Sequence, residues 1–162
     1  MNGSRPCSGA MRAMAAIASL VLLLVASAAR ANEPAAVIGY VKTVVGEAWV
    51  GPPDSAVRAQ VGTPIHLGAT MKTGPGASLG VTLKDDTVMS FGPNTEVSVD
   101  DFLFDPDRGD LKLGASIVRG TLNFISGLIA KMRPDAQTVR TPTGTIGVRG
   151  THFLVKIANP SP

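Results

Sequence analysis

The sequence predicts an all-β chain, with short strands packed in one twisted, layered or β-solenoid-like domain. Three observations predict it. From Val37 onward, short apolar runs alternate with Gly, Pro, Asn or Asp at the spacing of an all-β domain, and helical periodicity is hard to find. The apolar positions are mostly Val, Leu, Ile and Ala, with only five Phe, one Trp and one Tyr as larger fillers, and Val and Ile fit a pleated surface. Finally, Val118-Arg119-Gly120-Thr121 recurs as Val148-Arg149-Gly150-Thr151, thirty residues on, and both copies lead into a phenylalanine, Phe124 and Phe153. A recurring strand-kink-strand unit favours layered β-coils over an immunoglobulin-like sandwich.

The chain opens with a secretory signal pattern. Arg5 and Arg12 form a positive start, Ile17 to Val25 is almost wholly apolar, and Ala29-Arg30-Ala31 fits a small-x-small cleavage site. Cleavage after Ala31 makes Asn32 the first mature residue. The predicted organisation is a signal peptide over 1–31, a β domain over 32–158 and a frayed tail over 159–162. The apolar run falls short of the roughly 20 residues of a membrane helix, so no stable span is expected after cleavage. The expected location is the periplasm or the exterior. Of the fifteen basic residues, Arg5, Arg12 and Arg30 leave with the signal, so twelve basic face twelve acidic residues in the mature chain. A balanced chain with no basic, aromatic-interleaved face excludes nucleic acid as the expected partner. The only cysteine, Cys7, also leaves and precedes the apolar core, where a lipid-modified cysteine would follow it. Packing alone must then hold the mature fold.

In chain order, Val37 to Val45 and Glu47 to Val50 read as the first strands, bent at Gly46 and closed by Gly51-Pro52-Pro53-Asp54. Val57 to Val61 and Pro64 to Leu67 are weaker strand patterns. Ala69 to Thr73 and Ser78 to Leu83 flank Gly74-Pro75-Gly76, which predicts a hairpin. Lys84-Asp85-Asp86 turns the chain into Thr87 to Phe91, and Gly92-Pro93-Asn94 turns it again into Thr95 to Val99. Asp105-Pro106-Asp107-Arg108-Gly109-Asp110 is a protruding polar turn. Leu111 to Leu113, Ala115 to Val118 and Thr121 to Ile125 follow, punctuated by Gly114 and Gly120. Gly127 to Met132 fits a helical turn or a strand, ended by Arg133-Pro134-Asp135.

The most specified stretch runs from Thr141 to Val155. Pro142 fixes its own φ and biases Thr141 towards extended backbone. Gly144, Gly147 and Gly150 recur every three residues, allowing positive φ or close backbone approach, while Ile146 and Val148 would share one strand face. Phe153, Val155 and Ile157 resume that alternation after a kink at Arg149-Gly150-Thr151. In Thr141, Pro142, Ile146, Gly147, Val148, Arg149, Gly150, Thr151 and Phe153, the chain resembles the signature of the FecR domain family, and weaker matches reach back to about Ile38. The resemblance implies a twisted, solenoid-like all-β module. Full-length FecR regulators join a cytoplasmic anti-sigma segment, a membrane helix and a receptor-facing periplasmic portion; this chain resembles only the FecR domain, as a stand-alone secreted protein. It departs from the family pattern at His152, where an acidic residue is common, at Ala69 in place of part of a Gly-Asp pair, and at Thr87 after Asp85-Asp86.

The chemistry on offer is sparse. The mature chain has two histidines, no cysteine, and no nucleophile elbow or phosphate loop, so no enzyme and no cofactor are expected. Asp85 and Asp86 read as a solvated turn, not a catalytic pair. Asp105, Asp107 and Asp110 around Gly109 resemble hard-cation ligands but match no complete calcium loop and read as an acidic turn. His66 and His152 are too few for zinc and read as strand-surface residues. Arg149, and Arg119 one repeat earlier, are expected to satisfy carbonyls freed by a kinked backbone. The predicted function is a non-catalytic, secreted or periplasmic module of the bacterial cell envelope that serves protein interaction or signalling, with another cell-envelope protein as its partner. The alternative is a glycan or ferric-complex binder, in which Tyr40 and Trp49 would be the exposed rings.

Overall fold

The computed structural model describes residues 35–149 and 152–158. The signal pattern with its cleavage site at Ala31, Gly150 and Thr151 of the signature, and the tail 159–162 lie outside the described residues.

One long strand organises the domain. Strand β9, Asp110–Ile125, follows the period-two rule closely, burying Leu111, Leu113, Ala115 and Ile117, and then Leu122 and Phe124 after a break. Each fully buried side chain of this size contributes about 1.5–3 kcal/mol. The break is the first Val-Arg-Gly-Thr copy. There β8, Glu96–Asp105, shifts register, so that Ile117 opposes Val97 but Arg119 opposes Glu96 and Val118 is the extra residue of a bulge. Gly120 follows at φ +90, a conformation that L side chains rarely adopt. A Cβ there would also collide with the Oγ1, Cα and Cβ of Thr95.

The partner strand bends at the same level. Strand β7, Val88–Phe91, pairs with the second half of β9, from Val88 opposite Ile125 to Phe91 opposite Leu122, and β8 takes over along the same edge. The crossing between them is braced by threonines. Thr95 Oγ1 accepts the N–H of Thr121 at 2.9 Å, while Thr73 Oγ1 donates to the Gly92 carbonyl at 2.6 Å and accepts the Thr95 N–H at 2.9 Å.

From this axis the sheet extends both ways. On one side lie β5, Thr70–Thr73, then β2, Ala48–Gly51, and β3, Val57–Arg58; on the other lie β6, Ser78–Leu83, then β1, Val37–Val45, and β4, Pro64–His66. All of these pairings are antiparallel. The curled sheet encloses a single core that includes Ile38, Val41, Met71, Leu79, Val81, Met89, Val97 and Phe124. The all-β, layered domain read from the sequence is therefore what forms.

Two local expectations change. Gly74-Pro75-Gly76 does not close a hairpin, because β5 pairs with β2 and β8 whereas β6 pairs with β1 and β7. The Gly74 N–H donates to Glu47 O at 2.8 Å and its carbonyl accepts from Asn94 N at 3.2 Å, so neighbouring crossings hold this turn and direct the chain into the other half of the sheet. Likewise, the two Val-Arg-Gly-Thr copies are not successive coils. The strand after the second copy, β12, His152–Ile157, runs antiparallel to β9, with Phe153 opposite Phe124.

The Asp85 turn also differs from its reading. Asp86 adopts φ 63, as a tight turn requires, but Asp85 is fully buried. Its carboxylate accepts the Thr87 N–H at 3.1 Å and the Thr87 hydroxyl at 2.7 Å, and Thr87 Oγ1 in turn accepts the Gly127 N–H at 3.0 Å. The Asp85 carbonyl accepts the Leu128 N–H at 2.7 Å, docking the short helix α1, Leu128–Met132, on the turn. A side chain at Gly127 would strike that carbonyl, which explains the glycine. The pattern Asp-Asp-Thr marks a buried clasp for α1, not a solvated loop.

Candidate functional site

After α1 and a 3-10 turn over Pro134–Ala136, strand β10, Gln137–Thr141, lies parallel to β9, from Gln137 opposite Leu113 to Arg140 opposite Ser116. It turns into β11, Gly144–Gly147, which pairs only with β10. The turn is built by its own residues: Pro142 cannot donate to a ladder, and Thr141 Oγ1 accepts the Gly144 N–H at 3.1 Å and donates to the Gly144 carbonyl at 2.9 Å. The Thr-Pro-Thr-Gly opening of the signature is thus a hairpin tip.

Beyond the tip, the signature divides into two kinds of residue. All four positions of β11 are exposed, and Ile146 is 37% accessible. Val148 is buried, its N–H donating to the Gln137 carbonyl at 3.0 Å, so Ile146 and Val148 do not share a core face as the alternation predicted. The strand ends at Gly147, and the irregular backbone that follows turns Val148 inward. Phe153 stacks on Phe124 at 4.9 Å between ring centres and 23° between planes, and Val155 returns to the core. Gly144 and Gly147 contrast with Gly120: neither is among the positive-φ glycines, and a Cβ at either would meet nothing within 4 Å. The close approach expected of them finds no counterpart inside the described chain.

Both arginines of the repeated copies meet carboxylates. Arg149 Nη2 lies 2.7 Å from Asp135 Oδ1 with both side chains largely exposed, and Arg119 Nη2 lies 3.2 Å from Glu96 Oε2. His152 Nε2 sits 2.6 Å from Asn123 Oδ1, and His66 Nδ1 sits 2.5 Å from the Ala35 carbonyl, so the histidines serve neighbouring strands separately. Asp105 accepts the Arg108 N–H at 3.2 Å and pairs with its guanidinium, making the Asp105–Asp110 tip a self-capped turn. Among the described residues no group of three or more His, Cys, Asp or Glu is placed to hold a metal ion, and no helix is long and apolar enough to cross a membrane. Tyr40 is exposed, while Trp49 is half-buried within β2, flanked by β3 and β5.

Sequence reasoning missed two features. A cleft of about 730 Å³ opens where the ends of β10 and β12 approach the bend of β9, lined by Val118, Arg119, Pro142, Lys156 and Ile157 among others. Gln137 is buried with neither its amide nitrogen nor its amide oxygen hydrogen-bonded. Neither has a local signal, since each depends on strands brought together from distant parts of the chain.

The described residues thus present an edge hairpin whose outer strand, β11, has no neighbouring strand except β10. The family model described as "FecR protein" matches residues 69–161, more than half of the chain, and the chain belongs to that family. Membership makes it a signalling-associated regulatory module of the cell envelope. Strands β1 to β4 precede the match yet complete the same core, so the folded unit is larger than the matched segment. No curated protein and no solved structure gave a match.

Proposed function

We propose that the chain is a non-catalytic, secreted or periplasmic module that binds another cell-envelope protein through the edge of its signature hairpin. The observation that carries this reading is β11. Strand edges expose unpaired N–H and C=O groups, and soluble proteins usually guard them with charge or proline. Gly144-Thr145-Ile146-Gly147 carries neither, and its glycines answer no need of backbone conformation or packing within the described chain. An uncharged edge with two bare backbone positions suits strand addition by a partner, with Ile146 as the apolar contact. Arg149 and Asp135 then flank that edge as an exposed ion pair. The signal pattern at residues 1–31 supports an extracytoplasmic location. The glycan or ferric reading has less support: Tyr40 has no second exposed ring in the same strand, and among the described residues no group of three or more His, Cys, Asp or Glu is placed to hold a metal ion.

The test is a crosslinking pull-down from the cell envelope with the protein expressed as the full chain, beside Ile146→Lys and Arg149→Ala versions checked by circular dichroism. One enriched envelope protein, lost with Ile146→Lys while the fold is intact, is the expected result. An empty pull-down would overturn the proposal and turn attention to cell-wall fragments and ferric complexes.

A further inference from the structure

We propose that the cleft at the bend of β9 binds the carboxy terminus of a partner polypeptide whose last side chain is apolar. The inference rests on reading the domain as a protein-interaction module and gives that module a second, chemically defined site.

Pairing register creates the opening. Along one edge of β9 the two layers of chain are continuous, β7 giving way to β8. Along the other edge β10 stops at Arg140 opposite Ser116, and β12, arriving from the opposite direction, stops at Ile157 opposite Gly120. Between those two ends, Ile117, Val118 and Arg119 face neither strand. Pro142, Thr143 and Ala158 line this gap, and Pro142 has no N–H with which to prolong β10. An opening three residues long on β9 suits a short peptide end.

Its walls set the chemistry. Val118 is 56% exposed, and with Ile157 and Pro142 it offers an apolar seat for one side chain. The charges are unbalanced towards the positive. Glu96 is shared by Arg119 at 3.2 Å and Lys72 at 3.0 Å, while Lys156, on the wall of the cleft, has no carboxylate partner among the described residues. Two cations, Arg119 and Lys156, line the cleft against one carboxylate, Glu96, which Lys72 also engages, and this balance favours a bound anion such as a terminal carboxylate. The open backbone edge of β9, the apolar seat and the free ammonium together match the three parts of a peptide end: backbone, last side chain and carboxylate. The cleft volume of about 730 Å³ lies within the ordinary range of ligand sites.

The purified protein, expressed as the full chain, is used to select from a library of random heptapeptides displayed with free carboxy termini. The expected result is enrichment of peptides ending in an apolar residue. A selected peptide, followed by fluorescence anisotropy, should weaken roughly tenfold or more when amidated at its carboxy terminus, and by a similar factor against Lys156→Ala, as for loss of a charge-assisted hydrogen bond. Val118→Asp, at an exposed position, should abolish binding with the fold intact. No enriched peptide, equal binding of the amide, or unchanged binding by Val118→Asp would each overturn the proposal. Equal displacement by decanoate, an apolar carboxylate without a peptide backbone, would overturn the peptide assignment. Because this selection uses purified protein and the pull-down depends on Ile146, the two readings fail separately.

Discussion

The two Val-Arg-Gly-Thr segments share a spelling and divide the work of the molecule. In the first, Val118 is exposed on a bulge, Gly120 is forced to positive φ against Thr95, and Arg119 joins a half-exposed ion cluster with Glu96 and Lys72. In the second, Val148 is buried and Arg149 meets Asp135 in solvent. Identical residue types therefore solve different problems. The first segment bends the sheet on which the core depends; the second releases the chain from an edge hairpin into its last strand. What the copies do share is the phenylalanine that follows, since Phe124 and Phe153 face one another and bind the second segment to the first.

The largest expected effect tests that shared contact. Phe124→Ala should cost about 3–5 kcal/mol in denaturant unfolding, because Phe124 is fully buried, whereas Phe153→Ala should cost distinctly less because Phe153 is only half-buried. Equal costs would mean that both segments are equally internal, which would break the comparison. Next, Gly120→Ala combines backbone strain with overlap on Thr95 and should destabilise by roughly 2–4 kcal/mol, whereas Gly147→Ala should stay within about 0.5 kcal/mol. A large loss at Gly147 would show that the fold requires the glycine. Gln137, whose carbonyl receives Val148, offers a change of opposite sign. Gln137→Met keeps the shape and removes an unpaired buried amide, so it should raise the unfolding midpoint and add about 1–2 kcal/mol. The smallest effect is expected at the ion pair: Arg149→Ala should change stability by no more than about 1 kcal/mol, and less in high salt, since both partners are exposed.

Legibility followed the range of the interactions. The limits of β1 and β6, the polar tip at Asp105–Asp110, and the alternation of Phe153, Val155 and Ile157 were readable because each follows from neighbouring residues. Gly120 was readable as punctuation, but its consequence was not: the sequence divides β9 into three runs, and the structure fuses them into one strand, because Gly114 and Gly120 are bridged by pairing with β8 and β12. Gly74-Pro75-Gly76 has the composition of a hairpin turn and serves as a crossover, since the choice is made by Glu47 and Asn94, distant along the chain. Asp85 misled for a similar reason. Its partner Thr87 is local, but the burial that gives the pair its purpose comes from Gly127 and Leu128, about forty residues later. At the signature, the residues were located and their exposure was not: Ile146 and Val148 obey a strand alternation that the chain abandons after Gly147. The cleft arises from the register of two strands against a third and leaves no local trace.

The position of β9 in the chain also has a consequence for timing. The strand that joins both halves of the sheet begins at Asp110, so β2, β5 and β8 on one side and β1, β6 and β7 on the other have no common axis until most of the polypeptide exists. Long-range pairings of this kind form slowly, because loop closure must precede the contacts that stabilise it. A nascent chain built this way gains the axis that joins its two halves only when β9 has been made, and its last pairing only when β12 aligns with that axis.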